Sequence, residues 1–119
     1  MRKPELKSVD VEGITLRVLP EPPPHLVFLS SQIDAEKDST DSLVLLARMG
    51  GLAALVVREL DGEEVLYAAG RPPRTMAELE STGRGFVMAA FERVGSYEAL
   101  SELFAAILAV YQESSANPT

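Results

Sequence analysis

Apolar and polar positions change rhythm several times along this chain. Between Val9 and Val18 the apolar residues Val9, Val11, Ile14, Leu16 and Val18 alternate around Gly13. Period-two spacing with β-branched residues predicts two short strands, with Glu12-Gly13 as the hairpin turn between them. Pro20, Pro22, Pro23 and Pro24 then interrupt the pattern. Proline lacks an amide donor and holds φ near -65°, so this stretch is an extended connector or a helix entry. Pro24 suits the first turn of a short helix over residues 25–33. The apolar face of that helix is Leu26, Phe28, Leu29 and Ile33. Residues 34–42, DAEKDSTDS, read as a polar loop in which Ser39 or Thr40 caps the next helix and Asp41 sits at its positive end.

From Leu43 the chain is apolar on all sides: Leu43, Val44, Leu45, Leu46, Met49, Leu52, Leu55, Val56, Val57 and Leu60. A helix apolar all round is a central one, wrapped by its neighbours. Two foldings of this run compete. In one, the helix continues from Asp41 to about Glu59, passing through Gly50-Gly51 at roughly 1 kcal/mol per glycine relative to alanine. In the other it stops at Gly50, and residues 53–60 and 63–69 form a hairpin around Asp61-Gly62. Asp-Gly suits a type I′ turn, which needs positive φ at both central positions.

Gly70-Arg-Pro-Pro-Arg74 breaks the chain again, and Thr75 with Glu78 matches a capping box. The helix that follows, residues 76–94, places Met76, Leu79, Phe86, Val87, Ala90, Phe91 and Val94 on one stripe. Gly83 falls where that stripe expects an apolar residue, and Gly85 is close by. Such glycines admit a second backbone or mark a kink. Gly95-Ser96 is a short stop and restart, with Gly95 left-handed and Ser96 capping the last helix, residues 97–112. So short a link makes the two helices antiparallel neighbours. Tyr97, Leu100, Phe104, Ile107, Leu108 and Tyr111 keep helical spacing there, and Leu103 and Val110 widen the stripe.

The 119 residues are one domain, 46% apolar, with residues 1–7 and 113–119 expected to be flexible. A domain this small gains from oligomerisation or a partner. A net charge of -7 argues against nucleic acid, since no basic patch is present to displace phosphate counterions. The absence of cysteine removes disulfides, thiolate nucleophiles and thiolate metal sites. No apolar run reaches the ~20 residues needed to cross a bilayer, and the N-terminus lacks the apolar core of a signal peptide. The expectation is a soluble, cytoplasmic protein.

Catalytic and metal chemistry find little to work with. His25 is the only histidine and stands beside three prolines with no orienting group in its neighbourhood. Asp34, Glu36 and Asp38 have the spacing of a calcium loop but lack its central glycine, and Leu45 stands where the bidentate Glu is required. Glu59, Asp61, Glu63 and Glu64 crowd one turn and read as a solvated face. Arg71, Arg74, Arg84 and Arg93 balance Glu78, Glu80 and Glu92 along a helix surface. The expectation is no enzyme, no cofactor and no metal.

The order of segments carries a resemblance. Gly13-Ile-Thr-Leu-Arg-Val18 ends a strand-like start. An apolar run over residues 45–60 leads into Asp61-Gly62 and an apolar patch at Val65–Tyr67. Two helices follow, with Ala77-Glu-Leu79 near the start of one and Phe91-Glu-Arg-Val94 before the other. Over residues 8–112 this order resembles the tail assembly chaperones of long-tailed bacteriophages. The departures are Pro20–Pro24, the Gly50-Gly51 pair and the GRPPR connector. The resemblance implies a non-enzymatic helper in the host cytoplasm that binds the tape-measure protein, keeps it soluble and brings tail-tube protein to it. A frameshifted longer product is a further property of such genes, and the polar residues 114–119 suit that junction.

The hairpin folding of residues Ala53–Ala69 looks instead like the roadblock-type dimerisation domains, which are α/β scaffolds that act with small GTPases. A virion structural protein such as a tail connector is a third possibility. The expected fold is therefore mainly α, a helical domain with a short N-terminal β-hairpin, and the α/β roadblock-like arrangement is its alternative. Helix should account for roughly half the residues or more, against a globular average of about one third. Because the last helix carries a wide apolar stripe near an accessible end, Phe104, Leu108 and Tyr111 are the expected partner-binding residues.

Overall fold

The computed structural model of the protein describes residues 5–116, with side chains as far as Val110. It is mostly helical, at 60% helix. Strands β1 (Lys7–Val11) and β2 (Ile14–Val18) form the N-terminal hairpin. Helices α1 (Pro24–Glu36) and α2 (Ser42–Val56) follow, with a 3-10 turn at Lys37–Ser39 between them. Next come the short strands β3 (Val57–Leu60) and β4 (Glu63–Glu64), then helices α3 (Met76–Val94) and α4 (Tyr97–Ala116). The four strands make one antiparallel sheet in sequence order.

The first hairpin forms where the alternation places it. Glu12 and Gly13 have φ of 53° and 81°, the left-handed pair that a type I′ turn requires. Val9 pairs with Leu16 and Val11 with Ile14. Ile14, Leu16 and Val18 point into the core, while Thr15 and Arg17 face outward. The outer side is tied across the strands by the Thr15 hydroxyl, which donates to Asp10 Oδ1 at 2.7 Å. Lys7 belongs to β1 and pairs with Val18, so the expected fraying does not extend to it. The expectations for residues 1–4 and 117–119 lie outside the described residues, and α4 runs on to Ala116 instead of ending at Gln112.

The apolar run folds as a combination of the two readings. Helix α2 passes through Gly50-Gly51 and ends at Val56, and the next residue, Val57, is already extended at φ -85° and ψ 122°. The hairpin that follows is real but spans Val57–Glu64, not Ala53–Ala69, because residues 53–56 are helical and buried. Asp61 and Gly62 form its turn, at φ 53° and 88°. No glycine stops the helix. Its last four carbonyls are met by other groups, which the end of any helix demands. The Val57 amide donates to Ala53 O. Arg58 Nη1 donates to Leu55 O at 3.0 Å and to Ala54 O at 3.5 Å. The Leu19 amide, coming off β2, donates to Val56 O at 2.9 Å. Helix end and sheet are thus joined by hydrogen bonds.

Gly50 and Gly51 of α2 and Gly83 of α3 are where the two helices touch. A Cβ on Gly50 would lie 2.5 Å from Val87 Cγ2 and 2.7 Å from Gly83 O. One on Gly51 would overlap Leu79, and one on Gly83 would overlap Ala47 O and lie 2.6 Å from Gly51 N. The propensity cost of three helical glycines is offset by this backbone-to-backbone approach, which buries Ala47, Ala54, Leu79, Phe86 and Ala90 along the seam.

Several local expectations shift. Helix α1 extends through Asp34, Ala35 and Glu36, which the loop reading had excluded. Leu29 and Ile33 are buried, but Phe28 is 76% exposed and leaves the predicted apolar face. Asp41 itself caps α2, accepting from the Leu43 amide at 2.9 Å, while the Ser39 and Thr40 hydroxyls donate back to Glu36 O. At α3 the Thr75 hydroxyl accepts from the Glu78 amide at 3.2 Å. Glu78 reaches the Arg74 amide at 3.0 Å, one residue earlier than a capping box prescribes. The left-handed Gly95 and the Ser96 cap turn the chain into α4 as expected.

The seam yields a paired test. Gly83→Ala forces two backbones apart and should destabilise the protein by about 2–3 kcal/mol, in the range of overpacked cores. Gly85→Ala, two residues away, meets nothing within 4 Å and should stabilise by about 0.5–1 kcal/mol through helix propensity. Urea denaturation of the two variants measures both, and equal effects would contradict the close approach.

Candidate functional site

Three helices leave an apolar groove on one side of the molecule. Its floor is the part of α2 not covered by α3: Leu45, Met49 and Leu52. One wall is α1, through Ser30, Ile33, Asp34 and Lys37, and the other is α4, through Leu108. The volume is about 370 Å³. A narrow extension lined by Met49, Leu52, Ala53, Phe104, Ile107 and Leu108 continues it beneath α4. The groove exists because α2 is apolar all round while its neighbours cover only part of it. Leu45, Met49 and Leu108 are half-buried, so apolar surface remains in contact with solvent.

The three predicted partner-binding residues are placed differently. Leu108 lines the groove. Phe104 is only 9% exposed and stacks on Phe86 of α3, with ring centroids 6.3 Å apart, so it is part of the core. Tyr111 lies in α4, and its side chain is outside the described residues. Leu45, Met49 and Leu52 were visible in the sequence as an all-round apolar helix. What could not be read was which side the other helices leave open.

Arg48 fixes the wall formed by α1. Its side chain is 12% exposed; Nε donates to Glu80 of α3 at 2.8 Å and Nη1 to Glu36 of α1 at 3.1 Å. Nη1 also lies 3.3 Å from the Thr40 hydroxyl. The Glu80 hydrogen bond leads the effects that raise the guanidinium pKa above its ordinary value. One half-buried cation thereby ties three helices, and removing it would leave Glu36 and Glu80 without this partner. Two of the four arginines of the second half are likewise engaged, Arg71 with Glu78 at 2.6 Å and Arg93 with Glu63 of β4 at 2.8 Å. Glu80, expected to balance that group, belongs to Arg48 instead.

A second cleft, of about 430 Å³, is lined by Leu6, Leu19, Arg58, Glu59, Glu64, Val65 and Tyr67. It is larger than the groove, but Arg58 and Tyr67 within it already have structural duties. Arg58 closes the end of α2 and donates to the Tyr67 hydroxyl at 2.6 Å, with its guanidinium 5.8 Å from that ring's centroid. Glu59 stands directly opposite Glu64 in the sheet, a like-charge pair. Among the described residues no three His, Asp or Glu side chains are placed to hold a metal ion. His25 lies in the first turn of α1 with Nε2 buried and no hydrogen-bond partner among the described residues. No described helix is long and apolar enough to cross a membrane.

No protein-family model, curated protein or solved structure matches the chain.

Tyr67 gives the cleft a measurable signature. Burial raises its pKa above the ordinary 10.0, against a smaller opposing effect of Arg58. The folded protein therefore retains the phenol proton where the unfolded chain loses it. The contribution of Tyr67 is intact below pH 10 and is lost as pH rises through the folded-state value. Chemical denaturation across that range should show stability falling more steeply with pH for the native protein than for Tyr67→Phe.

Proposed function

We propose that this protein is a non-enzymatic holding factor that seats an apolar helical segment of another protein in the groove on α2. The observation that carries the reading is the partly uncovered apolar floor, Leu45 and Met49 beside the buried Leu52, flanked by Leu108. A helix laid in a groove by anchors one turn apart is an established mode of recognition, and Met49 supplies an adaptable surface for it. The resemblance in segment order to phage tail assembly chaperones gives the proposal its specific form. The partner is then the tape-measure protein, kept soluble until tail-tube protein is recruited. The roadblock-like alternative draws support only from the order of α2, β3 and β4. Its further strands have no counterpart downstream of β4 among the described residues.

Co-expression with a phage tape-measure protein, the partner that the resemblance implies, tests the proposal. The double variant Met49→Asp/Leu108→Asp should lose that partner on purification, while its circular dichroism stays native. Full retention of the partner by a folded double variant would remove the groove from the function. Phe104 must be left intact in such an experiment. As a core residue it should cost about 3–5 kcal/mol on replacement by alanine, so any variant that includes it reports unfolding as well as binding.

A further inference from the structure

The charges around the groove select among apolar helices. Its walls and floor are apolar or uncharged apart from Asp34 and Lys37, which pair at 3.2 Å. Beyond the lining residues the same segment holds Glu36, Asp38 and Asp41, so residues 34–41 carry four carboxylates and a single lysine. Arg48 pairs with Glu36 through Nη1 and with Glu80 through Nε. Asp34 and Asp38 remain exposed at this end. The rest of the molecule adds to the same field, at a net charge of -7. A second copy would bring an equal charge and the same acidic segment, which opposes self-association through this face.

We infer that the groove takes an amphipathic helix whose apolar stripe is flanked by lysine or arginine, with its basic residues directed at the 34–41 end. The inference rests on the holding function proposed above and names the chemistry of its partner. The apolar stripe supplies affinity through burial, and the basic flank supplies orientation and discrimination against acidic helices of equal hydrophobicity. Because Asp34 and Asp38 are solvent-exposed, their effect is screened by salt, whereas burial of the stripe is not.

Two peptides of about 15 residues, some four helical turns, share one leucine stripe and carry either lysine or glutamate on its flanks. Titrated into the full-length protein by fluorescence anisotropy at low salt, the lysine peptide should bind at least about tenfold more tightly. The ratio should shrink toward one in ~0.5 M salt, where screening is nearly complete beyond a few ångströms. Asp34→Lys/Asp38→Lys changes two exposed side chains and should reduce or reverse the preference. Leu108→Asp should abolish binding of both peptides with helicity retained. Equal affinities at low salt, a preference that ignores the Asp34/Asp38 change, or no binding of either peptide would overturn the inference. If co-expressed partner still depends on Met49 and Leu108 in that event, the inference fails and the holding function stands. If it depends on neither, both fail.

Discussion

The approach of α2 to α3 at Gly50, Gly51 and Gly83 constrains everything else in this fold. Three positions without side chains let two helices meet backbone to backbone, close enough that a single Cβ on Gly83 would occupy the space of Ala47 O. An ordinary helix pair keeps its axes about 8–10 Å apart by interdigitating side chains. Here the seam consumes one narrow stripe of α2 and leaves the remainder of an all-apolar surface to be covered by α1, α4 and the sheet. Phe86 on α3 and Phe104 on α4 then stack across the next layer, which sets the place of α4 and, with it, of Leu108.

Elements with a chemical stop or start were legible from residues alone. Glu12-Gly13, Asp61-Gly62, Thr75 and Gly95-Ser96 all act where their chemistry places them, because each is a local demand for positive φ or for a cap. The end of α2 was not legible, for a physical reason. It is closed by Arg58 from the following strand and by the Leu19 amide, far away in sequence. No local signal announces a carbonyl satisfied from another strand. The competing readings of residues 53–69 each captured half of the outcome because both the helical period and the hairpin turn are true of that stretch.

The candidate groove was legible in part for a similar reason. A wide apolar stripe on α4 contains both Leu108, which lines the groove, and Phe104, which is buried, since spacing reports which face is apolar and not which part of that face a neighbour covers. Phe28 shows the converse. It has the spacing of a core residue in α1 and stands exposed, because α1 lies on α2 through Leu29 and Ile33 alone among its buried residues. Arg48 lies beyond sequence reading altogether. Its partners, Glu36 and Glu80, are 12 and 32 residues away and come together only after the helices have packed.

That weak seating of α1 bears on how the groove works. Two buried apolar side chains and one leg of the Arg48 network hold this helix, between a proline-rich entry and a 3-10 exit. Helix α3, by contrast, is locked to α2 along a seam that allows no displacement without overlap or void. Local stability follows buried contacts, and α1 contributes two buried apolar side chains, Leu29 and Ile33, where α4 contributes four, Leu100, Leu103, Phe104 and Ile107. The same three glycines that bring α2 against α3 therefore leave Leu45 and Met49 on the side of α2 that α1 and α4 cover only in part.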